Sequence, residues 1–111
     1  MRLLHGEKVI SDNVRVADDT LSRMVGLLNC KKLDTGESLL IEPCNSIHTF
    51  FMKFNIDVLF LDKNFKVVKV FRDLPPWRIT RPYFSVKRVV EANADTFDEV
   101  KPGDQLELRD V

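Results

Sequence analysis

The sequence has no excess of either charge. Its 111 residues include 17 Lys and Arg against 17 Asp and Glu, so the formal net charge is zero. A general nucleic-acid binder needs a basic excess, because much of its affinity comes from displacing the counterions of the phosphate backbone. The charge balance therefore predicts that nucleic acid is not a partner of this protein.

Long apolar runs are also missing. The most apolar stretch, residues 44–62, is interrupted by Lys53, Asn55 and Asp57, well before the roughly 18 consecutive apolar residues that a membrane helix needs. Residues 1–8 show neither the apolar core nor the small-residue cleavage site of a secretory signal. We therefore expect no membrane association and a cytoplasmic location.

Cysteine is scarce, since Cys30 and Cys44 are the only two and they form no Cys-x-x-Cys pair. In a cytoplasmic protein such cysteines are expected to be reduced thiols. A chain of this length forms one domain, residues 1–111, and buries enough surface to fold without a disulfide or a structural metal. The sequence thus predicts a single domain without a cofactor, and it does not specify an oligomeric state.

Short apolar segments separated by turn residues make up most of the chain, which predicts seven or eight short strands. Outside the stretch 44–62, the predicted strands are 8–11, 13–16, 39–41, 66–72, 86–92 and 105–109. A single helical turn is expected at 95–100. One helix is predicted after an N-cap at Asp19, because four apolar residues recur at the spacing of one helix face: Leu21, Met24, Val25 and Leu28. The pattern indicates a mostly β fold, a small jelly-roll-like β-sandwich or barrel covered by one N-terminal helix.

The stretch 44–62 is predicted to form the centre of the sheet, as two short strands joined at Phe54-Asn55. The second half should pair with 66–72 in an antiparallel hairpin, with Asn64 of the connection in the left-handed conformation.

Alternation along that second strand assigns its faces. Ile56, Val58 and Phe60 should point to one side, and Leu59 and Leu61 to the other. Asp57 should lie at the frayed start of the strand or be hydrogen-bonded, because an unpaired buried carboxylate is costly.

In the first half of the stretch, alternation would place five side chains on one face of a strand: Cys44, Ser46, His48, Phe50 and Met52. Cys, His and Met are soft donors that suit Cu(I). However, Cys44 and His48 would lie roughly 13 Å apart along a straight strand, whereas the ligands of one metal lie about 2 Å from it. No metal site is predicted.

His48, Asp57 and Glu91 are the best candidates for acid and base catalysis, with Cys44, Ser46 or Thr49 as a nucleophile. None of these residues lies in a recognised catalytic motif. The alternative is that His48 and Asp57 satisfy hydrogen-bond partners in a polar pocket.

Residues 73–85 form a long irregular segment, because three prolines oppose regular pairing. Trp77 and Tyr83 lie beside Arg78 and Arg81, as stacking surfaces next to fixed positive charge. A turn at Ile79-Thr80 would aim both guanidiniums at one anion. Residues 72–88 carry a net charge of +4 and residues 91–111 a net charge of −5. We expect Trp77 to be partly exposed beside a cavity that also touches His48 or Asp57.

Several motifs together resemble those of one known family, catalogued as domain of unknown function 192. They are Val16-Ala17-Asp18, Arg23-x-x-Gly26-Leu27, Ile47-His48-Thr49-Phe50-Phe51-Met52, residues 56–62, Val90-Glu91-Ala92 and Lys101-Pro102-Gly103-Asp104. The resemblance implies a mostly β sandwich and no established activity. Many members carry Ser-Phe-Trp-Met at 49–52, and similar members often carry Gly at the position of Asp95.

Three functions are compatible with these observations. The absence of a catalytic motif favours a non-catalytic binding module for a small, anionic ligand or a peptide, and it also favours a structural or adaptor protein. The alternatives are a hydrolase that uses His48 and Asp57, and a structural or adaptor protein. The residues expected to contact a ligand are Ser46, His48, Thr49, Met52, Asp57, Trp77, Arg78, Arg81 and Tyr83.

Overall fold

A computed structural model describes residues 1–19, 23 and 33–110. All regular elements among them are strands. These are β1 (Arg2–His5), β2 (Lys8–Ser11), β3 (Asn13–Ala17), β4 (Glu37–Ile41), β5 (Ile56–Leu61), β6 (Val67–Leu74), β7 (Arg88–Asn93) and β8 (Leu106–Arg109).

Five strands form the larger sheet, in the order β3-β4-β7-β5-β6. Every neighbouring pair is antiparallel except β3 and β4, which run parallel. All six residues of β5 are buried, because sheet neighbours flank this strand and apolar layers cover both of its faces. The hairpin predicted between β5 and β6 is confirmed.

The smaller sheet has the order β2-β1-β8. Leu3 of β1 and Leu106 of β8 share an apolar cluster with Leu59 and Leu61 of β5. The smaller sheet thus covers one face of the larger sheet, with Phe97 from the turns that precede β8.

On the other face of the larger sheet, the described residues that form the cover belong mainly to irregular chain. Val58 and Phe60 of β5 share a second apolar cluster with Ile47, Met52 and Val86. The predicted division of β5 into two faces is therefore confirmed. Because two irregular segments, 43–54 and 75–87, supply this cover, their outward side chains are free to form a surface.

The mostly β prediction is confirmed, with eight strands in two sheets. The strands do not close into a barrel, and the parallel pair of β3 and β4 departs from the antiparallel pairing of a jelly roll. β1 was not predicted. Most of the predicted helix, with its Gly26, lies outside the described residues; at its start the Arg23 amide donates to Asp19 O at 3.0 Å. Among the described residues, no helix is long and apolar enough to cross a membrane.

The connection between β5 and β6 corrects one conformational prediction. Phe65, rather than Asn64, has the positive φ, at 64°. The Asp62 carboxylate accepts hydrogen bonds from the amides of Asn64 and Lys66, and the Arg88 guanidinium covers the Phe65 ring at 4.2 Å. These tertiary contacts place the left-handed residue one position later.

Residues 94–99 form successive turns. Two bonds of the i to i+3 kind, from Thr96 N to Asn93 O and from Val100 N to Phe97 O, hold them. The predicted single helical turn at 95–100 thus becomes a chain of tighter turns. Asp95 has a φ of 70°, a conformation that favours glycine.

Candidate binding surface

The segment 44–54 is not a strand, which corrects the prediction for the first half of the stretch 44–62. It makes one isolated antiparallel bridge, between His48 and Ile79. The amide of Thr49 donates to Arg78 O at 2.8 Å, and the amide of Thr80 donates to Ile47 O at 2.9 Å. These two bonds flank His48 and Ile79, which form no hydrogen bond with each other. In an antiparallel pair of this kind, the two side chains lie close together on the same side.

The predicted shared face of alternating side chains is therefore wrong. Met52 is buried in the core whereas His48 and Ser46 are exposed. The turn predicted at Ile79-Thr80 is wrong too, because both residues take part in the pairing with Ile47 and His48.

Thr49 holds the two irregular segments together. Its buried hydroxyl donates to Pro75 O at 2.7 Å and accepts from the Arg78 amide at 2.9 Å. Its carbonyl oxygen accepts from the amides of Trp77 and Met52, both at 3.2 Å. The hydroxyl and the carbonyl of Thr49 thereby position the backbone of both irregular segments, at 49–52 and at 75–78.

Aromatic rings pack against one another on the solvent side of the two segments that Thr49 joins. Trp77 lies edge-on to Phe51 at 4.8 Å between ring centroids and 5.8 Å from Phe50, which in turn lies 5.2 Å from the His48 ring. Phe51 is 68% exposed, Trp77 58% and Ile79 73%. We call these five residues, His48, Phe50, Phe51, Trp77 and Ile79, the aromatic surface.

Phe51 and Trp77 both have a φ of 66°. Bulky residues are rarely left-handed, at a cost of about 1–2 kcal/mol each. The hydrogen bonds of Thr49 hold both backbone regions in place. Strain of this kind persists where the surrounding structure imposes it, and it is concentrated at functional sites.

The two irregular segments contain no Asp or Glu. Segment 43–54 carries Lys53, and segment 75–87 carries Arg78, Arg81 and Lys87. The Arg81 guanidinium lies over the Tyr83 ring at 4.0 Å, and Tyr83 packs against the buried Phe60. The surface that these segments present is therefore both aromatic and cationic.

Asp57 is fully buried, and both of its carboxylate oxygens have a partner. Oδ1 accepts from the Asp73 amide and Oδ2 from the Phe97 amide, each at 2.9 Å. The prediction that Asp57 is hydrogen-bonded is confirmed. Asp57 shares its strand face with Leu59, on the side of the smaller sheet, whereas His48 lies on the opposite side with Ile47. The structure does not bring His48 and Asp57 together as a catalytic pair.

Glu91 is buried on β7, on the side of the larger sheet that faces the irregular segments. Burial raises the pKa of Glu91 to about 7. Burial also raises the pKa of the Cys44 thiol, with a further contribution from Glu91, while the bond to Ser46 O and the Arg23 charge lower it. Cys44 is a free, half-buried thiol that donates to Ser46 O at 3.1 Å. Cys30 lies outside the described residues.

Three cavities formed by described residues lie away from the aromatic surface. One of about 560 Å³ lies between the sheets near Asp12 and Asp95, one of about 260 Å³ beside Cys44, and one of about 210 Å³ near Glu99. Trp77 is partly exposed as expected, but none of these three cavities touches it.

The sequence predictions omitted Phe51 and Ile79, and counted Phe50 in the alternating face but not among the ligand contacts. The alternation predicted a strand with the even-numbered residues of 44–52 on one face, and this placed Phe51 on the opposite face. One signal was available: both irregular segments combine large apolar residues with cations and lack any carboxylate.

Comparison with known proteins identifies the family. The model of the family DUF192, described as "Uncharacterized ACR", matches residues 2–108. The chain belongs to this family. A UPF0127 protein of Pyrococcus horikoshii is 38% identical over 100 residues, which cover 84% of each chain. A UPF0127 protein of Pyrococcus furiosus is 34% identical over 107 residues, which cover 90% of each chain.

The fold of this DUF192 member is similar to a crystal structure of a protein of unknown function from Novosphingobium aromaticivorans. The TM-score is 0.76 at 17% identity, and the match covers 86% of this chain and 74% of the other. At this identity the likeness establishes the fold alone. The family's function is uncharacterised, so any role for this chain must be argued from its own geometry.

Proposed function

We propose that the protein is a non-catalytic binding module whose aromatic surface holds a segment of a polypeptide partner. One observation carries the proposal. Phe51 and Trp77 are held exposed, edge-on at 4.8 Å, by left-handed backbone that the bonds of Thr49 fix in place.

Contiguous exposed apolar surface on a folded protein is typical of an interaction site. Aromatic residues and arginine are enriched in the centres of protein interfaces, and Trp and Arg often carry much of the binding energy. Because Thr49 already fixes the backbone around Trp77, ordering this surface on binding costs little free energy, which favours affinity.

A polypeptide fits this surface better than the small anionic ligand also considered from the sequence. Small-molecule sites are concave and enclose most of the ligand, whereas Phe51, Trp77 and Ile79 are largely open to solvent. The geometry also does not favour the binding of one anion by both Arg78 and Arg81. The residues between them take part in the pairing with segment 43–54, and the Arg81 guanidinium stacks on Tyr83.

A hydrolase is the weaker alternative. Asp57 is on the far side of the larger sheet from His48, and both of its oxygens accept from backbone amides. A general base must reach the group from which it takes a proton, and this carboxylate reaches neither His48 nor solvent.

The proposal is tested by selecting peptides from a phage-displayed library of random dodecamers. Immobilised wild-type protein is compared with a Phe51→Ser, Trp77→Ser double variant. We expect sequences to be enriched on the wild type and not on the variant. Equal enrichment on both proteins would overturn the proposal.

A matched control uses Phe84, which is 83% exposed in the same irregular segment and makes none of the ring contacts within the aromatic surface. Phe84→Ser removes a highly exposed aromatic ring that lies outside the aromatic surface, and it should leave the enrichment unchanged. Thermal unfolding of each variant verifies that it is folded.

A further inference from the structure

We infer that the partner segment is acidic, with Asp or Glu side chains next to the apolar side chains that contact the aromatic surface. This inference rests on the proposed function and adds the chemical class of the partner. It follows from how charge is distributed around the aromatic surface.

The first observation is the absence of carboxylates from both irregular segments. Residues 43–54 and 75–87 contain four Lys and Arg and no Asp or Glu, although the whole chain contains 17 of each charge. In a neutral protein, the two segments that form the aromatic surface thus carry a charge of +4.

The second observation is that these cations have no ion-pair partner in the part of the chain that the structure describes. Four ion pairs occur there: His5 with Asp104, Lys8 with Glu99, Arg88 with Glu42, and Arg109 with Glu107. None involves Lys53, Arg78, Arg81 or Lys87. Residues 20–22, 24–32 and 111, which are not described, contain no Asp or Glu.

Complementary charge around an apolar centre orients a partner, excludes partners of like charge and raises the association rate. Arg78 lies next to Trp77 in the chain and Lys53 two residues after Phe51. An acidic segment would place its carboxylates at these two cations while its apolar side chains contact the rings.

Single-stranded nucleic acid and anionic membranes also combine negative charge with affinity for aromatic residues. The observations favour a peptide over both. Trp77 already packs against Phe50 and Phe51, at 5.8 and 4.8 Å between ring centroids, so a base that stacks on Trp77 would compete with these two rings. The net charge of −5 over residues 91–111 would oppose a long anionic polymer or a membrane, which extends beyond the aromatic surface, more than it opposes a short peptide confined to that surface.

The test sequences the dodecamers that the wild-type protein enriches and compares their Asp and Glu content with that of the input library. We expect acidic residues to be enriched beside aromatic or aliphatic ones. The best sequence, made as a synthetic peptide, should bind at least about tenfold more weakly to a Lys53→Glu, Arg78→Glu variant. Its affinity should also fall as salt is raised.

A control variant carries the same change in net charge elsewhere. Lys63 and Lys101 are exposed, lie outside both irregular segments and belong to none of the four ion pairs. Lys63→Glu, Lys101→Glu should leave peptide affinity within about twofold of wild type, because distant exposed charges are largely screened. Equal loss in both variants would overturn a local role for Lys53 and Arg78.

The outcomes separate the inference from the proposed function. Enrichment that requires Phe51 and Trp77 but is neutral or basic in composition would overturn the acidic partner and leave the binding module intact. Enrichment that does not require these residues would overturn both. A fluorescent oligo-dT dodecamer and phosphatidylserine vesicles are assayed in parallel. Binding to either that requires Phe51 and Trp77, with no peptide enriched, would assign the surface to nucleic acid or membrane instead.

Discussion

The two halves of the stretch 44–62 both contain large apolar residues, but they lie in opposite environments. Residues 56–61 form β5, in which every side chain is buried. Residues 44–54 contain three of the eight Phe of the chain, together with Ile47 and Met52, yet they form irregular chain with Phe51 exposed and with Thr49 and Met52 buried.

The difference lies in what each half pairs with. β5 has β7 on one side and β6 on the other, so its backbone groups are satisfied and both faces are available for packing. Segment 44–54 has the single bridge of His48 to Ile79 and the hydrogen bonds of Thr49. An apolar sequence becomes core when a sheet surrounds it, and becomes surface when one neighbouring segment is all that holds it.

The largest expected effect comes from removing the Asp57 carboxylate from β5, the buried half of the stretch 44–62. Asp57→Ala leaves the amides of Asp73 and Phe97 without their acceptors in a buried site. Each such loss costs about 1–3 kcal/mol. We therefore expect Asp57→Ala to lower the free energy of unfolding by about 4 kcal/mol, as measured by urea denaturation monitored by circular dichroism.

Asp62 provides the matched control, because its carboxylate also accepts from two backbone amides, at a half-buried turn. There water can replace the carboxylate, so Asp62→Ala should cost about 1 kcal/mol or less. An equal loss of stability in Asp57→Ala and Asp62→Ala would show that burial does not determine how much these carboxylates contribute to stability.

A smaller effect is expected from Glu91, which lies on β7 beside β5. Its folded-state pKa of about 7 exceeds the ordinary 4.5, so the folded state binds the proton more tightly. The contribution of Glu91 to stability should therefore be fully present below pH 4.5 and be lost as pH rises to about 7, a change of about 3 kcal/mol.

Glu91→Gln removes this titration while keeping a side chain of similar size. The free energy of unfolding of the wild type minus that of the variant, measured in urea from pH 4 to pH 8, should decrease across this window. A difference that stays constant or increases with pH would contradict a carboxyl group whose pKa is raised by burial.

The smallest of these effects concerns the exposed half. Thr49→Val removes the hydroxyl that accepts from the Arg78 amide and donates to Pro75 O. We expect a loss of about 2 kcal/mol and a change in Trp77 fluorescence, because the Trp77 backbone is positioned by the same residue.

Thr49→Ser keeps the hydroxyl and should restore the Trp77 signal and most of the stability. If Thr49→Val left the fluorescence unchanged, the aromatic surface would be held by ring packing alone rather than by the hydrogen bonds of Thr49.

The sequence allowed β5, its hairpin partner and its two faces to be predicted, because alternation and turn chemistry act over a few residues. It predicted a strand at 44–52 as well, since the same alternation occurs there, and this prediction was wrong. Alternation indicates which side chains would share a face; it does not supply the neighbouring strand that makes a strand stable. The ligand contacts inferred from that alternation, such as Ser46 and Met52, lie on different sides of the segment.

Sequence alone accounts for the strand-rich composition, the central buried strand and the absence of carboxylates within residues 43–54 and 75–87. The tertiary structure alone decided that Phe51 and Trp77 remain exposed and adjacent. The hydroxyl of Thr49 bonds to residues 26 and 29 positions away along the chain. Local patterns cannot encode such pairings, because the free energy that selects them comes from closing the whole fold around its core.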